Sequence, residues 1–318
     1  MEKLSFVIPC YNSEKMIGGV LQRIITTVEA DQRFDYEIIC VNDSSRDNTF
    51  EVLRECAKDN KKIKVISLSK NYGQHAALMA GFHQVVGDYV VCLDDDGQNP
   101  PEEMFKLIDK LLEGYDLVSA KFVNEKRKFI RKMGTKVSLA MSSYLIGKPR
   151  DIDLNSYFVF RRYIVEYITR YNNPYPFVLG QILQVTRNMA NVELPRPERE
   201  MGESGYSLKK LISLWMNGFT AFSEKPLVVA GYFGFTSAFA GFVLAIVTII
   251  RKFINPQMPA GYASTIACLL FMGGIILFFC GLLGEYIGRI YISINNVPQF
   301  AVRDKINIEV EPDDNKAV

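Results

Sequence analysis

The sequence predicts an α/β domain on a mostly parallel sheet, followed by a pair of long apolar helices. Three observations carry this. The first 123 residues alternate strand and helix patterns. The polar segments of that stretch fall just after strands. Residues 226–250 and 263–284 carry no charged side chain. Alternation of this kind implies parallel strands covered on both faces, with ligands bound beyond their carboxyl ends.

The elements follow in order. A β-branched and aromatic run at residues 4–8 reads as the first strand and is closed by Pro9-Cys10-Tyr11-Asn12. Asn12 or Ser13 caps a helix over residues 13–30. A strand at 37–41 leads into the polar segment 42–49 and a helix over 49–59. A third strand, 63–68, precedes the turn Lys70-Asn71-Tyr72-Gly73-Gln74 and a helix over 74–86. The fourth strand, 89–93, ends in Asp94-Asp95-Asp96-Gly97-Gln98. Asn99-Pro100-Pro101-Glu102-Glu103 then opens a helix over 101–113 in the proline-first, acid-rich manner, before a strand at 117–122.

Beyond this the chain turns basic and amphipathic over residues 124–147, with Lys126, Arg127, Lys128, Arg131, Lys132 and Lys136 among apolar residues. A helix of this sort fits an anionic membrane surface, and an ordinary solvated helix face competes with that reading. Residues 207–224 read as a second amphipathic helix. Two spans are expected at about 226–250 and 263–288, since each can cross a hydrocarbon core of ~30 Å. The prolines and glycine of residues 251–262 break the helix between them. Lys209, Lys210, Lys225, Arg289, Arg303 and Lys305 outweigh Arg251 and Lys252, which places both ends of the hairpin in the cytoplasm. The expected organisation is an α/β domain (1–206), the juxtamembrane helix (207–224), two spans (225–291) and a cytoplasmic tail (292–318).

Composition narrows the function. A net charge of +2 gives no bulk attraction to nucleic acid. Six cysteines without a CxxC pair argue for a reducing compartment and no disulfide framework. The first residues lack a signal-peptide apolar core of sufficient length, so the domain is expected in the cytosol.

The acidic run carries the most chemistry. Three consecutive carboxylates repel one another and would titrate upward without a cation. A hard divalent ion is the natural partner. If the segment stays extended, Asp94, Asp96 and Gln98 share one face and offer two carboxylates and an amide oxygen to a single Mg²⁺ or Mn²⁺. The competing reading is a solvated acidic loop. Asp43 can accept hydrogen bonds from a base or ribose, although Asp47 and Asn48 explain the same segment as a turn and helix start. GxGxxG and GxxxxGK[ST] are absent. His75 and His83 lack metal-spaced partners and read as core or surface histidines. The turn at residues 199–206 offers Arg199 for phosphate. Gln184-Val185-Thr186-Arg187 lacks the tryptophan of a QxxRW motif and is set aside.

Val7-Ile8-Pro9-Cys10-Tyr11-Asn12, residues 41–49, Asn71-Tyr72-Gly73 and Leu93-Asp94-Asp95-Asp96-Gly97-Gln98 with Pro100-Pro101-Glu102 resemble family 2 glycosyltransferases of the Rossmann-like GT-A fold. Arg199-Glu200-Met201-Gly202-Glu203-Ser204-Gly205-Tyr206-Ser207 and Leu282-Leu283-Gly284-Glu285-Tyr286-Ile287-Gly288-Arg289 are similar to the membrane-bound polyprenyl-phosphate branch. That branch includes undecaprenyl-phosphate glucosyl- and aminoarabinose-transferases and, more distantly, dolichyl-phosphate mannose synthase. The resemblance implies a nucleotide-sugar site of Pro9, Tyr11, Asp43, Asn71, Asp94 and Asp95, with Asp43 on the base. It implies Asp94, Asp96 and Gln98 on the metal, and Asp96 and Asp153 as catalytic residues, with Asp151 the weaker match to Asp153. It implies Arg199, Ser204, Arg127 and Arg131 at the lipid phosphate. Gly205 stands where many relatives carry lysine, so Lys209, Lys210 or the basic helix would supply one phosphate contact.

The implied reaction is inverting transfer of one sugar from a nucleotide diphosphate sugar, with a UDP-sugar expected, to undecaprenyl phosphate at the cytoplasmic face of the cell membrane. The resemblance also allows a homo-oligomer joined through the spans. The alternatives are a membrane-tethered nucleotide-sugar binder without transferase activity, and a processive polysaccharide synthase.

Overall fold

A computed structural model describes residues 1–123, 149, 151–195, 225–254, 261–295 and 297–308. The amphipathic segments expected at 124–147 and 207–224 lie outside the described residues. The chain divides into two units, one of Met1–Gly205 with Val297–Val318 and one of Tyr206–Asn296.

The larger unit is built on one eight-stranded sheet. Its first half follows the sequence pattern within a few residues: β1 (Lys3–Cys10), α1 (Ile17–Asp31), β2 (Asp35–Asn42), α2 (Thr49–Asp59), β3 (Ile63–Leu68), α3 (Gln74–Phe82), β4 (Tyr89–Cys92), α4 (Met104–Leu112) and β5 (Leu117–Val123). A short 3₁₀ turn, Pro101–Glu103, leads into α4. The second half adds β6 (Phe158–Arg161), α5 (Tyr163–Ile168), α6 (Val178–Val185) and β7 (Met189–Pro195). The sheet order is β7-β5-β6-β4-β1-β2-β3-β8, with β8 (Val302–Ile306) contributed from beyond the second unit.

β1 pairs in parallel with β2 and with β4, and β2 with β3. Helices cover both faces, so β1 is apolar almost throughout rather than alternating. Leu4, Phe6 and Ile8 enter the core on one face, with α1 and α4; Val7 enters the other, with α3. Burying one such side chain contributes about 2 kcal/mol. α3 lies close on the sheet because Gly81 has no side chain: a Cβ there would stand 2.5 Å from Val7 Cγ1.

Two features differ from the sequence reading. β6 runs antiparallel between β4 and β5, so the segment before it arrives beside the carboxyl end of β4. The segment read as a tail instead returns to the sheet, and β8 pairs antiparallel with β3. Asn307 follows it, donating from Nδ2 to the carbonyls of Ala57 (2.6 Å) and Ile63 (2.9 Å).

The second unit contains α7 (Lys225–Ile254) and α8 (Tyr262–Ile294). Phe271–Ile294 within α8 is long and apolar enough to cross a membrane, and none of it is buried inside the protein. Large apolar side chains such as Phe235 and Leu277 are more than 70% exposed. Helices at the core of a soluble domain would hide such residues. In α7 the distinctly apolar stretch is shorter, Gly234–Val243.

Candidate active site

The strand order 3-2-1-4 places a topological switch between β1 and β4. The chain leaves β1 toward β2 on one side and returns to β4 on the other. The connections diverge there and leave a crevice at the carboxyl ends. The acidic segment and the loop after β1 both sit at this point, and they are joined. The Tyr11 amide donates to Asp95 Oδ2 at 2.9 Å. Burial first, then the charges of Asp94 and Asp96, push the Asp95 carboxyl up to about 6, against the opposing pull of the Tyr11 amide.

Asp94 is held from two sides. Gln74 Nε2, at the start of α3, donates to Oδ1 at 2.8 Å, and Ser156 Oγ, just before β6, donates to Oδ2. Burial and then the Asp96 charge raise its pKa, while the Ser156 hydroxyl lowers it. The antiparallel insertion of β6 explains the second contact: Phe158 pairs with Cys92, so Ser156 lies just past the end of β4.

Asp96 and Gln98 meet in a different geometry from the one expected. The segment is a turn, with Gly97 at φ +73°, rather than an extended run with alternate residues on one face. Gln98 folds back on Asp96, donating from its amide to Oδ1 (3.0 Å) and from Nε2 to Oδ2 (2.6 Å). A left-handed residue at position 97 is what permits this, and glycine adopts it without a Cβ clash. The extended-face argument is therefore corrected, although Asp96 and Gln98 remain neighbours.

Among the described residues, no cation forms an ion pair with Asp94, Asp95 or Asp96. Nor do three His, Cys, Asp or Glu side chains converge as a ready-made metal cage there.

The residues expected on the nucleotide side form a second set of loops at the same edge. Asp43 is buried and accepts the backbone amides of Tyr72 (2.7 Å) and Gly73 (2.8 Å), which ties the loop after β2 to the loop after β3. Burial raises its pKa and those two amides oppose the rise. Asn71 Nδ2 donates to the Asp43 carbonyl at 3.3 Å. Pro9 lies near the end of β1, opposite Val41. Asp47 closes the turn into α2 by accepting the Thr49 amide at 3.1 Å, as the turn reading of that segment expects.

Asp153 is held by β7. Its amide donates to Asn191 Oδ1 (2.8 Å), and Asn191 Nδ2 donates to its carbonyl (2.7 Å). Its carboxylate makes no hydrogen bond among the described residues. Asp151 is exposed. Arg127, Arg131, Arg199 and Ser204 lie outside the described residues. Gln74 and Ser156 are partners of Asp94 to which the sequence reading assigned no role. Gln74 stands at a strand end like the others, so its position was a usable signal. Ser156 reaches Asp94 across 62 residues of sequence, and nothing local marks it.

The Glycosyl transferase family 2 profile matches residues 5–169, and a GtrB C-terminal hairpin profile matches residues 225–290. The chain is 34% identical over 308 residues to the uncharacterized glycosyltransferase YkcC of Bacillus subtilis (strain 168), covering 96% of this chain and 94% of the relative. It is 35% identical over 313 residues to the undecaprenyl-phosphate 4-deoxy-4-formamido-L-arabinose transferase of Proteus mirabilis (strain HI4320), covering 97% and 95%. Among solved structures, glucosyl-3-phosphoglycerate synthase from Mycobacterium tuberculosis, crystallised with Mn²⁺ and UDP-glucose, superposes with a TM-score of 0.52 at 20% identity, covering 69% of this chain and 77% of that one. At that identity the likeness establishes the fold, a GT-A-type mixed sheet.

Proposed function

Because the chain belongs to Glycosyl transferase family 2, we propose that this glycosyltransferase moves one sugar from a nucleotide diphosphate sugar, with a UDP-sugar expected, onto a polyprenyl phosphate such as undecaprenyl phosphate. The observation that carries the donor side is the cluster at the β1–β4 switch: adjacent carboxylates, partly buried, raised in pKa and without a described counter-cation. The acceptor side is supported by the relatives named for undecaprenyl phosphate, which align over nearly the whole of both chains.

The donor set is hard oxygen, which suits Mg²⁺ or Mn²⁺. Asp94, Asp96 and Gln98 would hold that ion, whose chemistry is to neutralise charge developing on the departing diphosphate. The protein's own groups do the rest. Gln74 and Ser156 fix the Asp94 carboxylate, and Asp95 fixes the loop after β1 through the Tyr11 amide. Asp43 shapes the loops after β2 and β3 into a cradle for the nucleoside, lined by Pro9, Tyr11 and Asn71.

The acceptor phosphate has a second pKa near ~6 and is largely a dianion at neutral pH, so it needs little help from a base. One of its oxygens attacks the anomeric carbon as the bond from that carbon to the diphosphate oxygen breaks, with inversion. Asp153 then orients the acceptor. Arg199, Arg127 and Arg131 offset the negative charge of the lipid phosphate, and the Ser204 hydroxyl donates a hydrogen bond to it. The helical hairpin holds the domain at the cytoplasmic membrane face, where that phosphate lies.

The test is to incubate the purified full chain with a panel of nucleotide sugars and undecaprenyl phosphate and to weigh the lipid product. A lipid heavier by one glycosyl unit, with release of the nucleoside diphosphate, is the expected outcome. Nucleotide-sugar binding with an unchanged lipid would reduce the protein to a tethered binder.

A further inference from the structure

Two side chains where α3 meets α6 carry enclosed polar atoms without a partner among the described residues. Gln181, in the first turns of α6, is only 3% exposed. Neither its Oε1 nor its Nε2 has a hydrogen-bond partner among the described residues. His75 Nδ1, on the first turn of α3, is enclosed and likewise unpartnered among them. Buried amides and imidazoles are nearly always satisfied, by protein or by something bound.

The two groups belong to one interface. α3 and α6 pack together. The His75 ring stands edge-on to Phe177, with centroids 5.1 Å apart. The Phe177 carbonyl accepts the Gln181 amide at 3.0 Å, so Gln181 follows one turn later on the same side of the helix. The neighbour of His75 in sequence, Gln74, donates to Asp94. His75 therefore follows the residue that holds Asp94, and Gln181 belongs to the helix packed against the same α3.

Their chemistry selects the ligand. A phosphate calls for arginine or lysine. Burial pushes His75 down to about 4, so at neutral pH the ring carries no charge. An amide that both donates and accepts, with a neutral imidazole beside it, fits an uncharged group that does the same, and a sugar hydroxyl is such a group.

We propose that Gln181 and His75 form the subsite that reads the hydroxyls of the transferred sugar and so sets which sugar is accepted. This rests on the transferase reading above. A trapped water satisfying the same atoms is the competing occupant.

The full chain, with undecaprenyl phosphate and Mn²⁺, is assayed against UDP-glucose, UDP-galactose, UDP-N-acetylglucosamine and UDP-xylose. Gln181→Met keeps the side-chain volume and removes the hydrogen bonds, and His75→Phe tests the second group independently if the first variant fails to fold. For the preferred donor kcat/KM falls at least about tenfold, and its preference over the next donor shrinks by a similar factor. Inhibition by UDP stays within about twofold of wild type, since UDP carries no sugar. Unchanged preference, or equal weakening of UDP and donor, overturns the subsite while leaving the transferase reading intact. A wild-type chain that transfers neither from these four nor from any other nucleotide sugar of the wider panel overturns both.

Discussion

Glu37 and Asp94 are both acids packed against the central sheet, one near the amino end of β2 and the other just past the carboxyl end of β4. Glu37 is 2% exposed and fully answered. Ser5 Oγ and the Val86 amide donate to one oxygen, at 2.5 and 2.9 Å, and Lys64 Nζ pairs with the other at 2.7 Å. Among the described residues Asp94 receives neutral donors, Gln74 and Ser156 foremost, and faces Asp96 besides. A buried acid that the protein itself neutralises is architecture. One left beside other acids, with no described cation, is prepared for something that arrives later. The same strands thus carry a finished network at one end and an unfinished one at the other, as stability and function often divide.

Substitution at the two acids should separate these roles most sharply. Asp94→Asn should lower sugar transfer by at least about a hundredfold, as loss of a metal-side group does, while thermal unfolding of the chelator-treated protein stays unchanged or moves up slightly. Glu37→Gln should do the reverse. Leaving Lys64 without its partner costs about 2 kcal/mol or more in denaturant unfolding, and the transfer rate of the folded fraction stays close to wild type. Equal effects of both variants on stability would erase the distinction.

The hydroxyls on each acid give a smaller version of the same contrast. Ser156→Ala should reduce transfer roughly tenfold with little change in stability, because Asp94 loses the donor that lowers its pKa. Ser5→Ala should cost about 1–2 kcal/mol, since Glu37 and the Gly87 amide both lose a buried partner, and should leave kcat alone.

The smallest effect is a pH slope. Asp95 titrates at about 6 in the folded chain, above the ~3.9 of an unfolded aspartate. Its contribution to stability is therefore complete below about 4 and is lost as pH rises through about 6. In chelator, unfolding free energy should decline across that window, and Asp95→Asn should flatten the decline. A slope of the opposite sign would contradict the burial argument.

The half of the fold closest to the N-terminus was readable because its strands are apolar runs punctuated by polar turns. β6 was not, because its place in the sheet is set by antiparallel pairing to β4 and β5 rather than by a local pattern. β8, Val-Arg-Asp-Lys-Ile, reads as polar tail and becomes a strand only because the β3 edge is there to pair with it. The site divides in the same way. Asp94, Asp95, Asp96 and Asp43 announce themselves at strand ends. Ser156 is placed by tertiary packing alone. The turn at Gly97 shows how a two-residue period, applied past the end of a strand, misplaces side chains whose neighbours are nonetheless correctly named.

The most direct measurement is transfer to undecaprenyl phosphate by the purified full chain, stripped with EDTA and then titrated with Mn²⁺, beside Asp96→Asn. Wild type should lose at least about a hundredfold in rate on stripping and recover it with Mn²⁺, while the folded variant stays inactive throughout. Full-rate transfer by wild type in EDTA, or by Asp96→Asn at any Mn²⁺ concentration, would contradict a cation held by Asp94, Asp96 and Gln98.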